Sequence, residues 1–197
     1  MLASITPLGE RSRNSRWGIT VTAFVVASTA SGAVVGSVFG SIGVPLRAAT
    51  QGSVRLWILA AVVGLCVLFE TQMVGMRLPA FRRQVNEQWL NMYRGWVYGA
   101  GFGAQLGAGV FTIVSTSAVY AALCSALLAG SPGWGALVGV SFGLVRGLSV
   151  LPARRVRAPA ALVSLDARLR RWEGPARRLT VATLTAAGFV ALAGAVR

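Results

Sequence analysis

Of the chain's five acidic residues, Glu70 alone falls inside an apolar stretch of membrane-spanning length. A carboxylate in that setting is costly enough to be a functional candidate by default. Counting back from Met76, it lies about 9 Å from the end of its span at a helical rise of 1.5 Å per residue. Arg146 precedes Leu151 by a similar distance in another span, so the two charges share a depth. A Glu70–Arg146 ion pair supported by Gln72 would fix two helices or gate a path between them. The alternative is a helix-end carboxylate and an arginine that snorkels to the membrane surface.

Hydroxyls form the second group. Thr112, Ser115, Thr116 and Ser117, with Gln105 a few turns earlier, place polar groups where a third span is deepest and would line a polar path. The competing reading is ordinary packing, because Ser and Thr hydroxyls bond to carbonyls one turn back. Cys66 and Cys124 sit on different spans with no neighbouring cysteine, proline or basic residue, and read as small core residues rather than a redox pair. Gly139, Ser141 and Gly143 satisfy the spacing of a nucleophile elbow, but that turn needs a strand and a base, and the chain has no histidine. The residues indicate no enzyme activity, no metal site and no cofactor.

The setting for these groups is a membrane. The chain has 197 residues, 55% hydrophobic and 12% charged, with a mean hydropathy of +0.66, too apolar for a soluble domain of this size. With about 20 residues needed per crossing, the charge-free stretches give five spans, near residues 17–40, 54–76, 96–130, 134–151 and 178–196. The turn signature Gly130-Ser131-Pro132-Gly133 divides the third from the fourth. All 19 basic residues are arginine, and with the N-terminus in the cytoplasm fifteen of them fall in cytoplasmic segments. Six spans, made by folding one long stretch into a hairpin, would put an arginine-rich loop outside. The first span reads as a retained signal anchor, and the arginine-only, alanine- and glycine-rich composition suits a bacterial cytoplasmic membrane.

The helices carry their own packing code. Ser28, Gly32, Gly36 and Gly40 form a ladder of small residues, repeated at Gly95, Gly99, Gly103 and Gly107 and again at Gly135, Gly139, Gly143 and Gly147. Residues four apart share a helix face, so each ladder is a groove into which another backbone presses, a glycine zipper. The expected fold is therefore an all-α polytopic bundle. Two further segments, 79–94 and 160–173, are amphipathic and arginine-bearing, as expected of helices at the cytoplasmic headgroup level; the second is expected to stop at Gly174 and Pro175. A net charge of +14 reflects this topology: loop arginines attract anionic lipid at about 1 kcal/mol each. No nucleic-acid-binding motif accompanies them.

Gly99 to Gly109, GAGFGAQLGAG, followed by an apolar helix, a Gly-Ser-Pro turn and Gly139 to Leu151, GVSFGLVRGLSVL, resembles the second half of the transmembrane domain of the CcdA and DsbD cytochrome-biogenesis family. The resemblance covers a quarter to a third of the chain. It implies a compact bundle of the LysE-like group, which includes thiol-electron carriers and small-solute exporters. The family's proline-cysteine motif has no counterpart, since the matching residues are Ala108, Gly109, Val110, Phe111 and Thr112. The resemblance thus implies the bundle without its electron-carrying chemistry.

Together these features point to a non-enzymatic integral membrane protein acting as a subunit or assembly component of a larger complex. A small-solute transporter and a thiol-disulfide electron carrier are the alternatives. Three ladders exceed what a five-helix monomer needs, so one is expected to face another membrane protein or a second copy.

Overall fold

A computed structural model of the chain describes residues 5–71, 93–109 and 116–196. Its elements are α1 (Pro7–Ser12), α2 (Trp17–Ala49), α3 (Gly52–Glu70), α4 (Gly95–Ala108), α5 (Ala118–Ala129), α6 (Pro132–Leu148), a 3-10 turn (Leu151–Arg155) and α7 (Pro159–Val196). There is no strand among the described residues. Four segments are long and apolar enough to cross a bilayer: α2, α3, α6 with its following turn, and α7 from Ala160. The protein is an all-α, membrane-embedded helical bundle.

Local chemistry sets the element ends. Thr6 caps α1 by accepting the Gly9 N–H at 3.1 Å, and Pro7 starts the helix where no amide partner is needed. Gly130, with φ of +56°, ends α5 in the left-handed conformation glycine allows, and Pro132 opens α6 two residues later. The Gly-Ser-Pro turn thus divides the long apolar stretch where the sequence indicates.

The spine of the bundle is α2, whose small-residue face receives two neighbours. Against α6 it runs antiparallel: a Cβ added at Gly32, Gly36 or Gly40 would land on the carbonyl of Gly139, Gly135 or Ser131. Against α4 it runs parallel: Cβ atoms at Gly99, Gly103 and Gly107 would strike the carbonyls of Thr20, Phe24 and Ser28. Ser28 is where the three ladders converge. It is fully buried, lies against Gly107, Gly143 and Gly147, and donates its hydroxyl to the Gly143 carbonyl at 2.7 Å. All three ladders are therefore engaged within the chain.

A second pair, α3 and α7, runs antiparallel, with Leu56 beside Gly194, Val63 beside Gly188 and the Glu70 carbonyl bonded to Arg177. It joins the α2 unit through α5, whose start bonds to Cys66 and whose end bonds to Arg55. Helices α4 and α5 follow one another along α2 in the same direction: Gly107 sits at Ser28, Val119 is next to Gly109, and Leu127 reaches Gly43. The stretch expected as one span at 96–130 is in two helical pieces, with α4 ending before Gly109, whose φ is +69°.

Two boundaries differ from the sequence reading. Helix α2 continues through Pro45 to Ala49 instead of ending near residue 40. Helix α3 ends at Glu70, and the expected continuation to 76 lies outside the described residues, as does nearly all of the 79–94 segment. Most notably, Gly174 and Pro175 do not stop a helix: α7 is continuous over 38 residues and joins the expected 160–173 and 178–196 segments. Apolar packing of the C-terminal half on α3 outweighs the roughly 3 kcal/mol helix penalty of an internal proline.

This packing makes glycine substitutions position-dependent. Gly36→Val must separate two backbones, with no rotamer to relieve the clash, and is expected to lower stability by about 3 kcal/mol or more. Gly64→Ala meets nothing within 4 Å and is expected to be neutral or to gain up to about 1 kcal/mol in helix propensity. Thermal unfolding of the two variants in detergent, followed by size exclusion, provides the comparison.

Candidate functional site: the Glu70 joint

Thr116 and Ser117 stand just ahead of α5, and α3 brings a carboxylate to them. Glu70 Oε2 accepts from the Ser117 N–H at 3.1 Å, the Ser117 hydroxyl at 2.8 Å and the Thr116 hydroxyl at 3.2 Å. Ser117 is the N-cap of α5, so an acidic group from another helix occupies the position where helix starts favour negative charge. Ser117 is fully buried, and its single hydroxyl proton is shared between Glu70 and the Cys66 carbonyl, 3.0 Å away. The Cys66 thiol donates in return to the Ser117 carbonyl at 3.5 Å. Arg177 of α7 donates to the Glu70 backbone carbonyl at 2.7 Å. One residue thus ties together the end of α3, the start of α5 and the middle of α7.

The residues singled out in the sequence divide between this site and elsewhere. Glu70, Thr116 and Ser117 come together. Gln72, Thr112 and Ser115 lie outside the described residues. Gln105 is half-buried on α4. Arg146 does not pair with Glu70: the ion pairs among the described residues are Arg13–Glu10 and Arg170–Asp166. Its guanidinium instead lies 5.3 Å from the Phe142 ring centroid, with Nη1 buried and lacking a hydrogen-bond partner. The equal depth expected from the sequence did not bring the two charges together. Cys66 is buried, Cys124 half-buried, and both are free thiols.

Sequence reasoning overlooked a second buried carboxylate. Glu10 is wholly inaccessible; Oε1 accepts from the Tyr98 hydroxyl and from Arg13 Nη2, the latter at 3.1 Å, and Oε2 accepts from Thr20 at 2.8 Å. The Arg13 guanidinium also sits 5.4 Å from the Tyr98 ring centroid. This cluster knits α1, α2 and α4 together. The available signal was Tyr98, which lies three positions after Gly95 and so shares the ladder face that packs on α2.

No protein-family model, curated protein or solved structure matches this chain.

The Glu10 cluster is expected to be structural. Glu10→Ala leaves Arg13, Thr20 and Tyr98 without their common acceptor and should lower stability by about 3 kcal/mol, whereas Tyr98→Phe should cost about 1 to 2 kcal/mol. Unfolding of the single and double variants would show strong non-additivity, because both changes remove the same bond.

Proposed function

We propose that the protein is a non-enzymatic transporter of a small solute or ion in a bacterial cytoplasmic membrane, with Glu70 as its working group. The observation that carries this reading is the carboxylate at a span formed of two helical pieces. Transporter sites are commonly built where half-helices meet, because their free backbone groups can bind a ligand there. An ionised Glu70 holds the start of α5 through charge-assisted bonds. Capture of a cation competes with Thr116 and Ser117 for the same oxygen and releases α5 from α3.

Counting α4 and α5 as one crossing gives five spans. The N-terminal α1, Arg94, and Arg154, Arg155 and Arg157 then share one arginine-rich end, the cytoplasmic one by the positive-inside tendency. The resemblance to a group that includes small-solute exporters supports the same reading. The ladders, all engaged internally, no longer argue for a partner. A second reading, a membrane subunit, is favoured by the first half of α7, where Val163 and Trp172 are 72% and 63% exposed.

Proteoliposomes loaded with a pH-sensitive dye, or with radioactive sodium as a second probe, separate these readings. The native protein should move one of the two cations above empty vesicles, Glu70→Gln should reduce the rate at least tenfold, and Cys66→Ser/Cys124→Ser should leave it unchanged. Absence of movement, together with a stoichiometric partner that co-purifies in mild detergent, would overturn the transporter reading in favour of the subunit. Loss of activity in the cysteine variant would point instead to thiol chemistry.

A further inference from the structure

Five arginines crowd one open cleft at the end of the bundle near α1. Arg11, Arg16, Arg154, Arg155 and Arg157 line a space of about 630 Å³ together with Pro7, Ser15 and Trp17. All five are exposed, and none is engaged by a carboxylate among the described residues. Glu10 of α1 is buried and committed to Arg13, Thr20 and Tyr98. Like charges so gathered repel one another, yet the fold holds them in place. Leu8 N–H donates to the Val156 carbonyl at 3.2 Å, and Ala153 within the 3-10 turn and Val156 just after it are buried. The Trp17 indole donates to the Ile5 carbonyl at 3.4 Å and steadies the opposite wall. The result is a preformed positive concavity that an anion would relieve.

On the other side of the same turn lies a space of different character. Leu151, Pro152, Leu165, Leu169 and Trp172 line an apolar groove of about 440 Å³ between the turn and the first half of α7. Arg154 and Arg155 border both spaces, and Arg168 completes the rim of the groove. A cationic cleft and an apolar groove sharing two arginines match a molecule with a phosphate at one end and a hydrocarbon chain at the other. Free phosphate would use only the first, and a purely apolar ligand only the second.

We propose that the cleft and groove form a binding site for one anionic phospholipid. Its phosphate lies among Arg154, Arg155 and Arg157, with Arg11 and Arg16 facing them, and one acyl chain lies along Leu165, Leu169 and Trp172. Basic pockets at the cytoplasmic ends of membrane helices bind anionic headgroups through the same electrostatics. This site goes beyond the diffuse attraction of loop arginines to anionic lipid, because it is stoichiometric and involves named residues. It is separate from the Glu70 joint, so Glu70→Gln should bind lipid normally whether or not the transport reading holds.

Native mass spectrometry of the full chain in detergent, titrated with phosphatidylglycerol or phosphatidylcholine, tests it. One phosphatidylglycerol should be retained at least tenfold more tightly than phosphatidylcholine. The triple variant Arg154→Gln/Arg155→Gln/Arg157→Gln should lose that preference at least tenfold, while Arg170→Gln/Arg171→Gln, on α7 and outside both spaces, should keep it. Leu165→Asn/Leu169→Asn alters only the groove, and carries the test if the triple variant does not fold; it should weaken phosphatidylglycerol several-fold without affecting inorganic pyrophosphate. The proposal is overturned if the folded triple variant binds phosphatidylglycerol as the native protein does, or if the Arg170/Arg171 variant loses binding equally. Pyrophosphate binding as tight as the lipid's, with no effect of the groove variant, would also overturn it and make the cleft a site for soluble phosphates.

Discussion

Direct contact between helix backbones is the constraint on which the bundle depends. Lipid tails are as apolar as leucine, so helices in a bilayer gain little from burying large side chains and much from close packing and hydrogen bonding. On α2 that contact occurs on one face, where Ser28 meets Gly107 and Gly143 at once. Its hydroxyl bond to the Gly143 carbonyl is possible because no side chain separates the two backbones. Everything at the arginine-rich end follows from this registry. With α4 seated on Thr20, Phe24 and Ser28, Tyr98 reaches Glu10; with α6 seated antiparallel, the 3-10 turn arrives against α1.

The two carboxylate sites solve different problems. Glu10 is surrounded by donors from three elements and has no access to solvent, so its carboxyl group is held by Arg13, Thr20 and Tyr98 together. Glu70 is half-buried and accepts at one oxygen, Oε2, from residues that begin a helix. The first arrangement rigidifies. The second joins the end of one helix to the starting point of another.

What was legible in the sequence was whatever depends on spacing along one helix. A four-residue ladder defines a face, and the faces of α2, α4 and α6 proved to be the contact faces. The cost of an intramembrane carboxylate singled out Glu70 in the same way. Lateral order was not legible: depth placed Glu70 and Arg146 at one level, but only the packing of α3 on α5 and α7 decides that Glu70 meets Thr116, Ser117 and Arg177. Glu10 escaped notice because α1 is six residues long and has no periodicity to read. The continuity of α7 escaped for the opposite reason, since Gly-Pro is a strong local stop signal that tertiary packing overrode.

That override leaves a mechanical mark. Within α7, Pro175 cannot supply an amide to the Arg171 carbonyl, and Gly174 beside it has no neighbouring atoms to brace it. The compliance of a rod about 57 Å long is therefore concentrated two residues before Arg177, where the helix is pinned to α3. Clamped on one side of this weak point and lightly seated on the 3-10 turn on the other, the first half of α7 behaves as a cantilever. Bending loads at Leu165 to Trp172 are taken up at Gly174 and Pro175, leaving the apolar half of the helix in register with α3.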